Sequence, residues 1–411
     1  MASGLLRGQT PVQALSKSMD SVMQLAIEAK AFPGAQLLVA HKGEIVIEKA
    51  YGFHRYDALV PVLPSDVYDL ASVTKIMGPL PALMKLVEEG VIDLDAPFSR
   101  YWKPWRRYRD KKELSLRQIL AHGAGLTPYI VFLNEVLHPV NKGLKKRFVR
   151  ETYSRRFGLQ AYENRFVRSR FPRKMYRQIN RSSVSQDKSY RYSGLAFLVF
   201  PELISQLTGQ DYNSYMRSQF YDPIGAHSLG YLPKQRDASF RMVPTERDSL
   251  FRNALTQNYV HDENAALFGG ISGNAGLFSN ARDLYKMLQM LSNGGEYGGR
   301  RYLSSQTIRD FAEVQFPQQQ NRRGLGFDKP FLGNDSLPAA SAYPAPAVSP
   351  ESFGHSGFTG TFVWVDPVYD LVYVFLSNRV YPYRSQDGIY TTHIREVVQQ
   401  LIYEHLSLDS K

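Results

Sequence analysis

A serine and a lysine three residues apart, in Ala71-Ser72-Val73-Thr74-Lys75, are the residues of this chain best spaced for nucleophilic catalysis. On a helix, positions i and i+3 share a face, so the Lys75 amine can reach the Ser72 hydroxyl and take its proton as the oxygen attacks an acyl carbon. A helix N-terminus adds free backbone N–H groups and the positive end of a dipole, which suits a developing oxyanion. Ile76, Leu80, Leu83, Leu86 and Val87 continue at helical spacing towards Glu89, and Gly90 supplies the stop. Gly78, Pro79 and Pro81 predict a kink or irregular turn close behind the serine. A second copy of the spacing, Ser185-Gln186-Asp187-Lys188, serves as a control, because it lies in a polar, serine-rich stretch with no apolar helix behind it.

Two further segments carry chemistry that complements this pair. In Tyr190-Arg191-Tyr192-Ser193-Gly194, ahead of the apolar run Leu195 to Phe200, the Tyr192 phenol sits beside cations and can relay a proton to a leaving group and later activate water. In Phe353-Gly354-His355-Ser356-Gly357-Phe358, directly before a strand pattern at Gly360 to Val365, glycines permit close backbone approach, edge-strand N–H groups can hold an extended acyl chain, and His355 can bind a carboxylate. Taken alone, one of 26 tyrosines and one of 9 histidines are structural residues; it is their conjunction with Ser72 and Lys75 that gives them weight. No Gly-x-Ser-x-Gly elbow and no His-Glu-x-x-His occurs, which argues against an α/β-hydrolase and a zinc peptidase. Consecutive side chains diverge, so His261-Asp262-Glu263 reads as a polar loop with Asp262 and Glu263 lining the cleft, and no metal or cofactor is expected. The absence of cysteine excludes disulfides, thiolate metal sites and cysteine nucleophiles.

These segments need a scaffold, and both chain ends offer similar parts of one. A helix from Val12 to about Ala31 is closed by Phe32-Pro33-Gly34, and a hairpin follows with runs Gln36 to Ala40 and Glu44 to Ala50 around His41-Lys42-Gly43. Near the other end, Gly360 to Val365 and Leu371 to Ser377 form a hairpin around Asp366-Pro367, followed by an amphipathic helix from about Thr392 to Leu406. The expected fold class is α+β, an α/β sandwich whose antiparallel sheet is built from both chain ends and flanked by helices, with a mainly helical lobe inserted. We assign residues 1–70 and 240–411 to the sheet lobe and 71–239 to the helical lobe, with the active site at their seam.

The net charge of +12 is concentrated in a basic insertion at about 127–189: between Asn141 and Arg191 there are 16 Lys/Arg and 3 acids. It reads either as a solvated face or as a contact with an anionic polymer or membrane surface. Nucleic acid is not the expected partner, since no helix-turn-helix, zinc-finger or RRM signature is present. No apolar stretch approaches the roughly 20 residues of a membrane span. The opening MASGLLRGQTPVQALSK has no apolar core of a signal peptide, so the chain is expected either to be cytoplasmic or to lack a leader or upstream segment.

Ser72-x-x-Lys75, Tyr192-Ser193-x and His355-Ser356-Gly357, in this order around a helical middle, resemble the three active-site boxes of the serine β-lactamase-like and penicillin-binding-protein family: class C β-lactamases, their esterase relatives and D-alanyl-D-alanine peptidases. Ile119 to Leu126 resembles the family's Leu-x-x-His-Thr-Ser-Gly-Leu loop, and Gly269 to Ser279 its glycine-rich loop. VPTERD, VHDENA and FGHSGFTGTFVWVDP look closest to β-lactamase-like domains of Bacteroidetes, some fused behind a family 3 glycosidase. The resemblance implies a β-lactamase/transpeptidase-like fold, with Ser72 as nucleophile and Lys75 and Tyr192 as proton-transfer partners. It further implies an oxyanion hole from the Ser72 and Phe358 N–H groups, and a substrate edge made by His355, Ser356, Gly357 and Gly194. Gly194 stands where the family has asparagine, and His355 where it has lysine, a residue only fractionally charged near neutral pH. The expected function is a serine hydrolase working through an acyl-serine on an ester or peptide bond, a D-alanyl bond of a cell-wall muropeptide being one candidate, with weak or no β-lactamase activity. The alternative is a catalytically impaired penicillin- or muropeptide-binding or sensing module. Partners are then a small-molecule or peptide substrate such as a peptidoglycan fragment, and the place a bacterial periplasm or envelope.

Overall fold

The computed structural model of the protein describes residues 10–408, so the first nine residues of the opening stretch read for a leader lie outside it. Thr10 accepts the Gln13 N–H while the Gln13 side chain accepts the Thr10 N–H, a reciprocal cap that starts helix α1 (Pro11–Glu28). Leu15, Met19, Met23 and Ala26 form its buried stripe. Strands β1 (Gly34–His41) and β2 (Glu44–Gly52) reverse at Lys42 and Gly43, both in the left-handed region with φ of 53° and 78°.

Both chain ends complete one sheet. Strands β3 (Phe353–Ser356), β4 (Phe362–Asp366) and β5 (Leu371–Ser377) join β1 and β2 in a five-stranded sheet of order β3-β4-β5-β1-β2. Every pairing in it is antiparallel, and β1 meets β5 from Ala35↔Ser377 to His41↔Leu371. The side-chain period of two divides the strands between two cores. Leu37, Val39, Tyr373 and Phe375 pack with α1 and the terminal helix α6 (Ile394–His405), whereas Leu38, Ala40, Val372 and Val374 face the larger core with helix α5 (Ala281–Ser292). This is the α+β architecture expected from the chain ends.

Two segments depart from expectation in their detail. The third motif forms the edge strand β3, so His355 and Ser356 are strand residues, and the following strand begins at Phe362 rather than Gly360. The basic insertion, carried by a lobe expected to be mainly helical, contains a three-stranded sheet of Val149–Arg150, Arg165–Val167 and Leu159–Tyr162 before helix α4 (Phe171–Arg181). Strands of two to four residues are too short to carry a readable period.

The kink predicted behind Ser72 is present. A 3-10 turn (Ala71–Val73) leads into α2 (Thr74–Met77), the chain breaks at Gly78, and α3 (Pro79–Glu88) starts on a proline. A Cβ at Gly78 would lie 2.7 Å from both the Thr74 carbonyl and the Tyr231 hydroxyl, so only glycine fits that corner. The loop between β3 and β4 is fastened to the same segment: Thr359 Oγ1 donates to the Asp69 carbonyl (2.8 Å) and Thr361 Oγ1 to the Leu70 carbonyl (3.0 Å). Gly357 is the contact point, because a Cβ there would fall 2.0 Å from Thr361 Oγ1 and 2.6 Å from the Leu70 carbonyl oxygen. Gly357→Ala is therefore expected to destabilise the fold by about 1–3 kcal/mol through overpacking. The check is a lowered denaturation midpoint at unchanged slope, and an unaltered midpoint would mean the loop is not seated against Leu70.

Candidate active site

The 3-10 turn and α2 place Lys75 Nζ 2.7 Å from Ser72 Oγ, to which it donates, and 3.2 Å from the Asn274 carbonyl. Lys75 is 3% exposed and makes no ion pair among the described residues. Its second partner belongs to the glycine-rich loop. Ser272 Oγ donates to Asn274 Oδ1 (2.8 Å) and Asn274 Nδ2 to Asp262 Oδ1 (3.1 Å), which fixes the carbonyl over the lysine. Gly273 admits that loop, since a Cβ there would meet the Phe197 carbonyl at 2.2 Å. The control copy behaves as its setting predicts: Lys188 Nζ turns to the Ala124 carbonyl (2.9 Å), and Ser185 Oγ accepts the Asp187 N–H (3.2 Å).

Tyr192 brings the second and third motifs to this pair. Its ring lies 5.3 Å from Lys75 Nζ, and its centroid is 6.1 Å from that of His355. Two residues not singled out from the sequence complete the surround: His122, with its ring centroid 4.5 Å from Tyr192, and Arg323, whose guanidinium is 5.7 Å from the phenol ring. His122 Nδ1 accepts the Ser193 N–H (3.2 Å), so its proton resides on Nε2. His355 Nδ1 lies 2.6 Å from the Ser356 carbonyl and donates to it, which leaves Nε2 bare. Both Nε2 atoms are buried without a partner, one a donor and the other an acceptor.

The charge of His355 needs correction. Burial, then Arg323 and Lys75, push its pKa down to about 3, and burial with Arg323, His355 and Lys75 lowers that of His122. His355 is a neutral imidazole near neutral pH and holds no carboxylate by charge. The nearby permanent cation is Arg323, which shares the carboxylate of Asp328 with Arg322, at 2.8 and 2.6 Å. Burial alone would raise the Asp328 pKa, yet the two guanidiniums hold it below the usual carboxylate range.

The remaining expected positions divide by whether their backbone N–H is free. Neither the Ser72 nor the Phe358 N–H finds an acceptor among the described residues. The Gly357 N–H is spent on the Thr361 carbonyl (2.7 Å) and the Gly194 N–H on the Pro128 carbonyl (3.1 Å), so neither glycine offers a substrate its amide. Nothing lies within 4 Å of a Cβ placed on Gly194, and open space stands where the family has an asparagine side chain. Ser356 contributes its carbonyl to His355. The Phe358 ring is 46% exposed, lies 4.4 Å from the Arg379 guanidinium and stacks on His261 at 5.7 Å.

Asp69 sets the backbone just before the serine. Its carboxylate accepts the Ala71 N–H (2.8 Å) and the His261 N–H (2.7 Å), holding Ala71 at a φ of 45°. Burial raises its pKa, and the two N–H bonds oppose that shift. The other side chains of the His261-Asp262-Glu263 run do diverge: His261 Nε2 meets Glu246 (2.6 Å), Asp262 caps the short helix Glu263–Leu267, and Glu263 pairs with Arg384 (2.7 Å). His122 and Asn274 lie inside the two loops whose likeness to the family was noted, and that was a usable signal. Asp69 is an acid flanked by Tyr68 and Leu70, a weaker one, and nothing in the sequence around Arg322 and Arg323 marks them.

Comparison with known proteins agrees with this geometry. A Salmonella agona protein bearing a D-alanyl-D-alanine carboxypeptidase name is 29% identical over 388 residues, which cover 88% of this chain and 82% of the relative. EstCE1, a hydrolase with promiscuous acyltransferase activity, superposes with a TM-score of 0.64 at 19% identity, covering 94% of this chain and 99% of that one. The octameric penicillin-binding protein homologue from Pyrococcus abyssi gives 0.66 at 18% identity, covering 95% and 77%. The beta-lactamase family model matches residues 19–395, and with a buried Ser-x-x-Lys pair at the meeting of three loops the chain belongs to the beta-lactamase family, as one of its serine hydrolases.

Proposed function

We propose that the protein cleaves an acyl-D-amino-acid bond of the D-alanyl-D-alanine type in a carboxylate-bearing peptide, through an acyl-enzyme on Ser72. The observation that carries this reading is the 2.7 Å contact between Lys75 Nζ and Ser72 Oγ in a buried setting. As Ser72 Oγ attacks the carbonyl carbon, its proton is taken up at Lys75 Nζ, and the unbonded N–H groups of Ser72 and Phe358 receive the oxyanion. Tyr192, against Lys75, passes a proton to the departing amine. Water then enters, gives up a proton along the same path and releases the acyl group as an acid, restoring Ser72. The carboxypeptidase name of the Salmonella relative supports the substrate class, as does the permanent cation of Arg323, which lies near enough to His355 and Tyr192 to act on both. A cell-envelope location follows from that substrate. Among the described residues no helix is long and apolar enough to cross a membrane.

Exposure to a fluorophosphonate or a penicillin followed by intact-protein mass spectrometry is expected to show one adduct, mapped to Ser72. Ser72→Ala abolishes it together with hydrolysis, while Ser185→Ala keeps both within about threefold, because Lys188 is turned away from Ser185. Lys75→Ala and Tyr192→Phe each lower turnover by at least ~10²-fold, and the double mutant falls little further. An adduct on Ser185 would overturn the assignment.

The state of His355 makes a second prediction. Its folded pKa of about 3 lies below the ~6.5 of a free imidazole, so it stays uncharged as pH rises through 5 to 8 and contributes no ionisation there. For matched peptides with a free and an amidated C-terminus, the ratio of kcat/KM values is expected to be constant over that range. Arg323→Gln lowers the ratio about five- to tenfold while leaving the amidated substrate within about twofold. A ratio that titrates near 6.5 would restore a charged His355; a ratio of one throughout would turn the reading to a neutral ester substrate.

A further inference from the structure

Away from the catalytic cleft, the basic insertion builds a trough against the segment that follows Trp102. Helix α4 forms one wall and the 3-10 turn Lys103–Arg107 the other, around a groove of about 620 Å³. The groove is fixed in shape. Asn180 of α4 accepts hydrogen bonds from the indoles of both Trp102 (2.8 Å) and Trp105 (3.0 Å), and Trp102 packs edge-on against Tyr176 at 5.6 Å. Lys111 Nζ donates to the Ser182 carbonyl just past the helix end, tying the walls a third time.

The rims carry charge of one sign. Arg173, Arg177 and Arg181 project from α4, Lys103 and Arg107 from the opposite wall, and no acidic residue lines the groove. All five are exposed, and none has an ion pair or a side-chain hydrogen bond among the described residues. By contrast Lys174, on another face of the same helix, is paired with Glu135. Like charges at i and i+4 destabilise a helix, and here two such steps occur in succession with no counter-charge. The rows are also regularly spaced, since four residues of helix rise about 6 Å, which approximates the distance between successive phosphates on an extended chain.

We propose that this trough binds a linear phosphodiester polymer lying along α4, its phosphates held by Arg173, Arg177 and Arg181 on one side and by Lys103 and Arg107 on the other. Arginine's planar fork suits phosphate oxygens in pairs, and four of the five cations are arginines. A concave site with cations on both rims encloses a single strand, whereas a flat bilayer would touch only the rims. The Trp102 indole is buried and the Tyr108 and Tyr176 phenols are half-buried against the walls, so recognition is chiefly of the backbone, common to a polyol-phosphate polymer and to single-stranded nucleic acid. Nothing in this site takes part in hydrolysis at Ser72.

The test is titration of the full chain with poly(glycerol phosphate), a single-stranded oligothymidylate, polyglutamate and phosphatidylglycerol vesicles. The first or second is expected to bind with log K falling against log salt at a slope of about −3 to −4, as five phosphate contacts require. Arg173→Gln, Arg177→Gln and Arg181→Gln together should weaken binding at least tenfold and flatten the slope by about 2. They should leave ester hydrolysis unchanged and, by removing repulsion, not lower Tm. The charge-matched control Lys146→Gln, Arg147→Gln and Arg155→Gln should stay within about twofold. Binding by only one of the two phosphodiester polymers identifies the source of the ligand. Equal losses in the two triple variants, equal affinity for polyglutamate, or binding to vesicles alone would each overturn the proposal.

Discussion

A lysine buried without a carboxylate partner is the constraint on which the cleft depends. Lys75 is 3% exposed, and its partners are a hydroxyl and a backbone carbonyl. An ordinary buried amine would be stabilised by an acid, but an acid in contact would compete with Ser72 for the nitrogen and draw it away from the oxygen. The surroundings are arranged so that none intrudes. The adjoining imidazoles, His122 and His355, are kept neutral by burial and by Arg323 and Lys75 themselves, and the Asp328 carboxylate is engaged by two arginines. Asn274, held by Ser272 and Asp262, offers a carbonyl dipole where a charge would have been too strong.

Holding that pair in place is a backbone task. Ala71 occupies a left-handed conformation that disfavours any residue with a Cβ by roughly 1–3 kcal/mol, and it is kept there by the Asp69 carboxylate. The same carboxylate takes the His261 N–H, while the carbonyls of Asp69 and Leu70 take the hydroxyls of Thr359 and Thr361. The three residues Asp69 to Ala71 thus gather the turn that carries Ser72, the loop after β3 and the segment leading to the glycine-rich loop into one corner. The distance in sequence is large and the distance in space is a hydrogen bond, which is what a sheet made from both chain ends achieves.

Much of this was legible from the sequence, and the limits were physical. The sheet was visible because β1, β2, β4 and β5 are runs of five or more residues rich in β-branched and aromatic types and bounded by turn residues; the bounds of β3 were not, since Phe353-Gly354-His355-Ser356 has three glycine or polar positions and only one apolar anchor. Ser72, Lys75, Tyr192 and His355, which the fold brings together, were marked by local spacing and family likeness. The charge state of His355 was only partly legible, because it is set first by the burial of its own ring and then by Arg323, a residue 32 positions earlier, and no local pattern announces either. Gly357 and Gly194 were expected to line the substrate, but whether an amide is free depends on which carbonyl folds against it, and Thr361 and Pro128 do so here.

The two departures from the family's boxes answer one another. A lysine replaced by His355 removes a positive charge from the strand edge, and the guanidinium of Arg323, which cannot deprotonate, lies near that edge from a different segment, paired with Asp328. Replacing an asparagine by Gly194 removes a side-chain amide and leaves open space, with no clash at a Cβ to account for the change. An amide at that position would reach a substrate from the same side as Tyr192; its absence leaves the phenol, the Ser72 hydroxyl and two backbone N–H groups as the polar features of that wall. On the proposed reading, a fixed cation at one end and space at the other suit a substrate defined by its carboxylate and tolerant in its acyl side chain, so the two departures bear on one substrate from opposite sides.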